Sequence, residues 1–502
     1  MASRFSNFPP LGLLVFCVGA ASLGAEIAAA RLMAPFFGAS TIVWANTIGI
    51  VLVALSIGYW VGGRFADRHP HKQGLCVLVL VAAVAVALIP FAADPFLDAS
   101  VSALDEVSAG AFAGSLLSVS VLVAPPVILL GAASPYAIRL AVERVEESGT
   151  VAGRMYAIST VGSLVGTFLS ALLLIPLVGT RRTFLIFALA CAVVAVTGIV
   201  RRRALVVPIA LAVLIAMPVG TIKAAGDGVV REEIDSEYQY ARVVEYPDGQ
   251  RELELNEGEG VHSLYKPRSY LTGNVWDEYL VLPFAAFENP PRKVAVLGNA
   301  AGTTARALGR YFPRTEVHGV EIDGELSRLG RKWFDMRNPR LRVFHEDARP
   351  YLRRTAERYD VIMVDAYRQP YIPFYLTTRE FFELTRDRLR PGGIVIVNAN
   401  HFEGQDDLEK VLSTTLADVF PTVLRDPAED LNTLLLATAG SASPARLREA
   451  IPSLPADLRP RARAAAARLA PRLQGGPVYT DDKAPVEWLI DKSIVQEAAG
   501  SE

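Results

Sequence analysis

Cysteine is scarce: Cys17, Cys76 and Cys191 are the only three in 502 residues, and all lie inside strongly apolar runs. A disulfide framework is therefore excluded, and no metal-ligand spacing exists. Charge of one sign is also lacking, with a net charge of −2 at pH 7. Nucleic-acid binding driven by bulk charge is thereby excluded. Low-complexity tracts are missing too; the Ala/Arg/Pro-rich stretch 442–474 comes nearest and reads as a helical appendage with loops.

What the chain does have is apolar length. Its mean hydropathy is +0.30, and composition changes so sharply along it that the average describes neither part. Seven apolar runs lie near 11–32, 41–63, 74–93, 109–133, 155–178, 183–200 and 204–222. Each has roughly the 18 to 25 residues that cross a bilayer core. A single signal peptide does not explain a repeated pattern. Residues 1–223 are thus expected to be an α-helical polytopic membrane domain of about seven helices, in contact with lipid.

Loop charge orients such a bundle. Arg64, Arg68 and Lys72 in the second loop, and Arg139, Arg144 and Arg154 in the fourth, place those loops in the cytoplasm, while Asp94, Asp98, Asp105 and Glu106 mark the third. Arg201, Arg202 and Arg203 agree, and Arg181 and Arg182 oppose. Seven crossings would then put the remainder outside, and one re-entrant or half-span among them would put it inside. Glu26 and Arg31, near the end of the first run, are expected to pair or to line a path, since polar groups at membrane depth are costly alone. Gly162 and Gly166, four apart, allow close helix contact. The loop GGRFADRHPHK (62–72) resembles one between the second and third spans of major-facilitator transporters, where Asp and Arg tie helix ends together.

Beyond residue 223 the chain is ordinarily globular. EYQYARVVEYPDGQRELELNEGEGVHSLY alternates in period two around the turn Pro247-Asp248-Gly249, so 224–290 reads as a small β-hairpin subdomain. From 291 to 502, KVAVLG, VHGVEID, LRVFHED, YDVIMVD and GGIVIVN alternate with helical stretches such as GELSRLGRKWFDM and TREFFELTRDRLRPGG. This predicts an α/β Rossmann-like, doubly wound, mainly parallel sheet with ligands at the carboxyl ends of its strands. Gly298 and Gly302 form the first turn, Thr303-Thr304 are expected to cap the next helix, and Glu321, Asp323, Asp347 and Asp365 fall at three successive strand ends. The turn is not GxGxxG, and an adenosyl-thioether site suits it better than a nicotinamide one.

The phrases LNEGEGVHS, VEID, HEDAR, VDAYRQPYIPFYLTTREFF and TDDKAPVE together resemble the spermidine synthases, the polyamine aminopropyltransferases of methyltransferase-type Rossmann fold, over roughly 235–440. GRMYAISTVGSLVG is similar to the membrane region of their membrane-fused members. The resemblance implies transfer of an aminopropyl group from decarboxylated S-adenosylmethionine to putrescine or a related amine, without a metal and with homodimerisation. It implies that Asp365 is the proton acceptor, that Glu321 holds ribose, that Asp347 and Ala348 lie near adenine, and that Gln239 contacts the nucleoside, with Gly298, Gly302 and Asp323 completing the cofactor side. Tyr238 or Tyr240 would wall the amine channel.

The amine side departs from the family. Ala301 stands where the glycine turn carries an acid, Trp276-Asp277-Glu278 where the family has YHE, and His262 where it has a glutamine; Asp365-Ala366-Tyr367-Arg368-Gln369-Pro370 lacks the second acid of DSSDP. Asp277 and Glu278, with Asp481 or Asp482, are expected to supply the missing negative charge for substrate binding. Two alternatives stand beside this reading. A methyltransferase using S-adenosylmethionine itself would use Arg368 against the methionine carboxylate; a polyamine sensor or transporter would bind without turnover.

Overall fold

A computed structural model describes residues 9–37, 41–105, 110–217, 227–256, 260–367, 372–400 and 405–490. The chain divides into two compact units, Met1–Ala224 with Asp235–Tyr240, and Ala225–Ile234 with Ala241–Glu502.

The first unit is helical: α1 (Leu11–Phe37), α2 (Thr41–Arg68), α3 (Lys72–Asp105), α4 (Gly110–Ser118), α5 (Ala124–Ala141), α6 (Ser148–Leu169), α7 (Ile175–Val178), α8 (Thr180–Val196) and α9 (Val206–Ala216). Wider π-helical turns, Val119–Val123 and Ser170–Leu174, join α4 to α5 and α6 to α7. Among the described residues, five stretches are long and apolar enough to cross a membrane: Leu11–Met33, Val43–Arg68, Lys72–Ala93, Gly114–Ala141 and Val145–Val178. The last two apolar runs of the sequence form shorter helices, α8 of 17 residues and α9 of 11. Arg182, in the first turn of α8, donates to the carbonyls of Ile215 and Met217, both at 3.1 Å, so the end of α9 returns to the level where α8 begins.

Small residues let these helices approach. A Cβ at Gly162 would lie 2.2 Å from the Phe16 carbonyl oxygen, and one at Gly166 2.1 Å from that of Ala20, which keeps α6 directly against α1. Asp67 and Arg139 meet at 3.2 Å and tie the end of α2 to α5. The expected Glu26–Arg31 pair does not form. Residues five apart lie about 140° apart around an α-helix, and Arg31 instead pairs with Asp235 at 3.2 Å and donates to the Ser236 carbonyl. Thr180 donates its hydroxyl to the same Asp235.

The second unit opens with a four-stranded sheet in the order β1 (Val229–Asp235), β2 (Tyr240–Glu245), β3 (Arg251–Leu255), β4 (Val261–Tyr265), antiparallel from β2 to β4. The core follows: β5 (Lys293–Leu297), α10 (Thr303–Tyr311), β6 (Glu316–Val320), α11 (Gly324–Trp333), β7 (Leu341–Phe344), α12 (Ala348–Arg354), β8 (Tyr359–Val364), α13 (Arg379–Arg388), β9 (Leu389–Asn400), α14 (Asp407–Val419), β10 (Thr422–Glu429), β11 (Asn432–Thr438), α15 (Pro444–Ala450), α16 (Arg459–Arg468) and β12 (Ala470–Pro471). Its sheet runs β12-β10-β11-β9-β8-β5-β6-β7. The strands from β9 to β7 are parallel, and β11 pairs antiparallel with both β9 and β10.

Continuous apolar strands are what a sheet covered on both faces requires. Val294, Val296, Met363, Ile394 and Ile396 face one cluster, while Ala295, Leu297, Ile362, Val364, Val395 and Val397 face another. Each such Val, Leu, Ile or Met side chain, fully buried, contributes on the order of 1.5–3 kcal/mol. Two features differ from expectation. The β10–β11 hairpin has no glycine turn to announce it, and Pro391-Gly392-Gly393, which resembles a helix end, lies inside β9.

Candidate active site

The chain order reverses between β5 and β8, which are adjacent although β6 and β7 intervene in sequence. A crevice at the strands' carboxyl ends forms at such a switch point. Gly298 leaves β5 with φ +88°, and a Cβ there would lie 2.3 Å from the Asp365 carbonyl oxygen, so only glycine lets the turn press against the end of β8. Ala300 holds φ +44° without being glycine. Glu321, at the end of β6, secures that turn: one carboxylate oxygen accepts the Ala300 N–H at 2.7 Å and the other the Asp323 N–H at 3.0 Å. Burial pushes the Glu321 carboxyl up to about 7 against these hydrogen bonds.

Two of the four strand-end acids are helix caps. Asp323 accepts the Glu325 N–H at 3.0 Å at the start of α11, and Asp347 the Arg349 N–H at 2.9 Å at the start of α12. Asp347 also takes the Tyr375 hydroxyl at 2.6 Å, and Ala348 is buried in the first turn it caps. Thr303 and Thr304 do not cap α10. Gly302 is its N-cap, with φ +88° and no side-chain bond, and the Thr303 hydroxyl instead accepts the Leu264 N–H at 2.9 Å, fastening β4 to the turn.

Asp365 follows β8 with both carboxylate oxygens engaged. Asn398 on β9 donates its amide to one at 2.9 Å, and Trp276 donates its indole N–H to the other at 3.1 Å. Burial raises the Asp365 pKa, and the two donors pull it back. Tyr279 is buried nearby with its hydroxyl unpartnered, its ionisation pushed well up by burial and then by the Asp365 charge. A carboxylate so placed can accept a proton from a nucleophile entering beside the glycine turn.

Asp277 and Glu278, next to Trp276, have partners of their own. Asp277 accepts the N–H groups of Thr272 and Gly273, both at 2.8 Å, and the Thr272 hydroxyl at 2.9 Å, closing its own loop. Glu278 is fully buried against Arg468 at 3.0 Å, which also holds Asp426 at 2.8 Å. Burial, then the Asp426 charge, pushes Glu278 up to about 7. Ala301 is buried with Leu326, Leu329 and Phe334, and its N–H goes to Ser263 at 3.0 Å. Asp481 pairs with Arg349 at 2.5 Å and takes the Thr378 hydroxyl at 2.7 Å. Arg368 lies outside the described residues.

Gln239 and Tyr238 belong to the turn grouped with the helical unit. Their N–H groups both donate to the Ser236 hydroxyl oxygen at 3.1 Å, and Gln239 is buried. Sequence reasoning passed over Trp276 and Asn398. Trp276 stood beside the acids that drew attention, and Asn398 ends the quoted strand GGIVIVN. Among the described residues no three His, Cys, Asp or Glu side chains gather as a metal site would.

Residues 277–428 match the spermine/spermidine synthase domain. The chain is 37% identical over 189 residues to a probable polyamine aminopropyl transferase of Bifidobacterium longum, covering 38% of this chain and 42% of that protein. To polyamine aminopropyltransferase 2 of Pseudomonas aeruginosa it is 34% identical over 163 residues, 30% of this chain and 46% of that one. The matches thus span less than half the length of these two relatives. With polyamine aminopropyltransferase 1 of Streptomyces coelicolor it shares 25% identity over 421 residues, 77% of this chain and 75% of the other. Residues 277–428 thus resemble a spermine/spermidine synthase domain, and they follow a unit of apolar helices.

Proposed function

We propose that the chain is a membrane-anchored aminopropyltransferase that uses decarboxylated S-adenosylmethionine and an amine such as putrescine. The observation that carries this reading is Asp365, a carboxylate held by Trp276 and Asn398 beside the glycine turn at the switch point. An amine nitrogen attacks the propyl carbon bonded to the sulfonium. The C–N bond forms, the C–S electron pair passes to sulfur as methylthioadenosine leaves, and the nitrogen's proton goes to Asp365. Positioning supplies much of the rest, because a sulfonium is already a good leaving group.

On the nucleoside side, Glu321 accepts ribose hydroxyls while its other lone pairs keep the turn in place, and Asp347 and Ala348 border the adenine. Gly298 and Gly302 allow the backbone to come close, and Asp323 sets the direction of α11. Asp277 and Glu278 shape the wall behind Trp276, with no direct contact to the amine. The five long apolar helices anchor the chain in a membrane, and donor supply argues for a cytoplasmic synthase domain that pairs with a second copy.

The test is incubation of the full chain in lipid nanodiscs with each adenosyl donor and a panel of amines, followed by mass spectrometry. Methylthioadenosine with a propyl-extended amine is expected. S-adenosylhomocysteine would reassign the chain to methyl transfer, and neither product would end the enzyme reading.

A further inference from the structure

The helical unit holds a carboxylate that nothing above employs. Glu26 is half-buried on α1, about 10 Å inside the Met33 end of its span at about 1.5 Å per residue. Arg31, the nearest cation in sequence, is committed to Asp235. Glu26 has no ion-pair partner among the described residues. An acidic side chain at such depth is costly and is retained where it faces a cavity or a ligand.

A second observation points to a ligand. Ser22 lies one turn before Glu26 on the same face of α1, is 5% exposed, and its hydroxyl has no hydrogen-bond partner. A helical side chain leans toward the preceding turn, so the Glu26 carboxylate leans toward the turn that carries the Ser22 hydroxyl. The neighbouring helices bring more polar groups. α2 and α4 both pack on α1, and they carry Asn46, bonded to Ser115 at 2.9 Å, and Ser118, fully buried with an unpartnered hydroxyl. A carboxylate with neutral oxygen acceptors and no competing cation suits an ammonium group, which brings three donors and one positive charge.

We propose that Glu26 and Ser22 form a binding site for the ammonium end of an amine within the helical unit, separate from the synthase domain. The choice of an amine over another small cation rests on the function proposed above; the site itself rests on Glu26 and Ser22. The carboxylate neutralises the ammonium, and the serine oxygen accepts one of its hydrogens.

The experiment uses the full chain in lipid nanodiscs and an apolar carbodiimide, which modifies carboxyl groups in apolar surroundings, with the modified residue mapped by mass spectrometry. Glu26 is expected to react, and 1,4-diaminobutane at about ten times its dissociation constant is expected to slow the reaction about tenfold. Sodium chloride at equal ionic strength should leave it unchanged. An unreactive Glu26, or one that the amine does not protect, would overturn the proposal. Glu26→Gln should keep aminopropyl transfer and lose one class of 1,4-diaminobutane binding in equilibrium dialysis; an unchanged isotherm also overturns it. If that variant does not fold, protection in the unaltered chain decides. Protection at Glu26 in a chain that transfers no aminopropyl group would support this site while retiring the transferase reading.

Discussion

The acids around the glycine turn and those that follow Trp276 are used differently. At the turn, Glu321 spends its hydrogen bonds on the Ala300 and Asp323 N–H groups and so holds the turn. After Trp276, Asp277 and Glu278 are spent on the Thr272–Gly273 loop and on Arg468. An acid that braces a turn with backbone N–H groups keeps lone pairs for other donors, whereas an acid paired with an arginine is committed to that partner. Asp365 stands between the two cases, its partners being neutral donors that leave its charge intact.

The sharpest test of that comparison is Asp365→Asn. Turnover should fall about a thousandfold, the scale of a lost general base, while calorimetric affinity for methylthioadenosine stays the same. Loss of both would mean that the two sides are not separable. Glu321→Gln comes next. It should weaken nucleoside binding about tenfold, as loss of hydrogen bonds to a charged group does. The unaltered chain should bind more tightly as pH rises through about 7, because the free carboxyl titrates there and its ionised form is the better acceptor of ribose hydroxyls; the variant should lose that slope.

Glu278 gives a smaller effect, on stability. Its folded pKa, about 7, lies above the ordinary 4.5, so the folded state binds the proton more tightly. Its contribution is complete below the ordinary value and is lost as pH rises through about 7. Thermal melting should therefore show Glu278→Gln declining less than the unaltered chain across that window. Asp277→Ala should change least in catalysis: the KM for the amine stays put, while the melting temperature drops by a few degrees for the lost loop bonds, worth about 1 kcal/mol each. A large rise in KM would restore Asp277 to the amine site.

The legible parts of the sequence were those where one residue answers to one local rule. Apolar runs and buried strands show in composition, and Gly298, Glu321 and Asp365 follow from strand ends. What stayed hidden depends on distant partners. Asp323 and Asp347 look identical in sequence to binding acids, yet backbone N–H groups two residues on make them caps. Trp276 reaches Asp365 across 89 positions, and no spacing rule covers that distance. The β10–β11 hairpin lacks glycine at its turn, and α8 and α9 differ from the longer spans only in where hydrogen bonding stops.

Gly298 carries a consequence for how this domain can evolve. Any side chain there would collide with the backbone of Asp365, so the residue that follows β5 and the carboxylate that follows β8 are sterically one unit. A substitution at Gly298 cannot be accommodated without moving Asp365, and a lineage that keeps this glycine keeps that carboxylate in place.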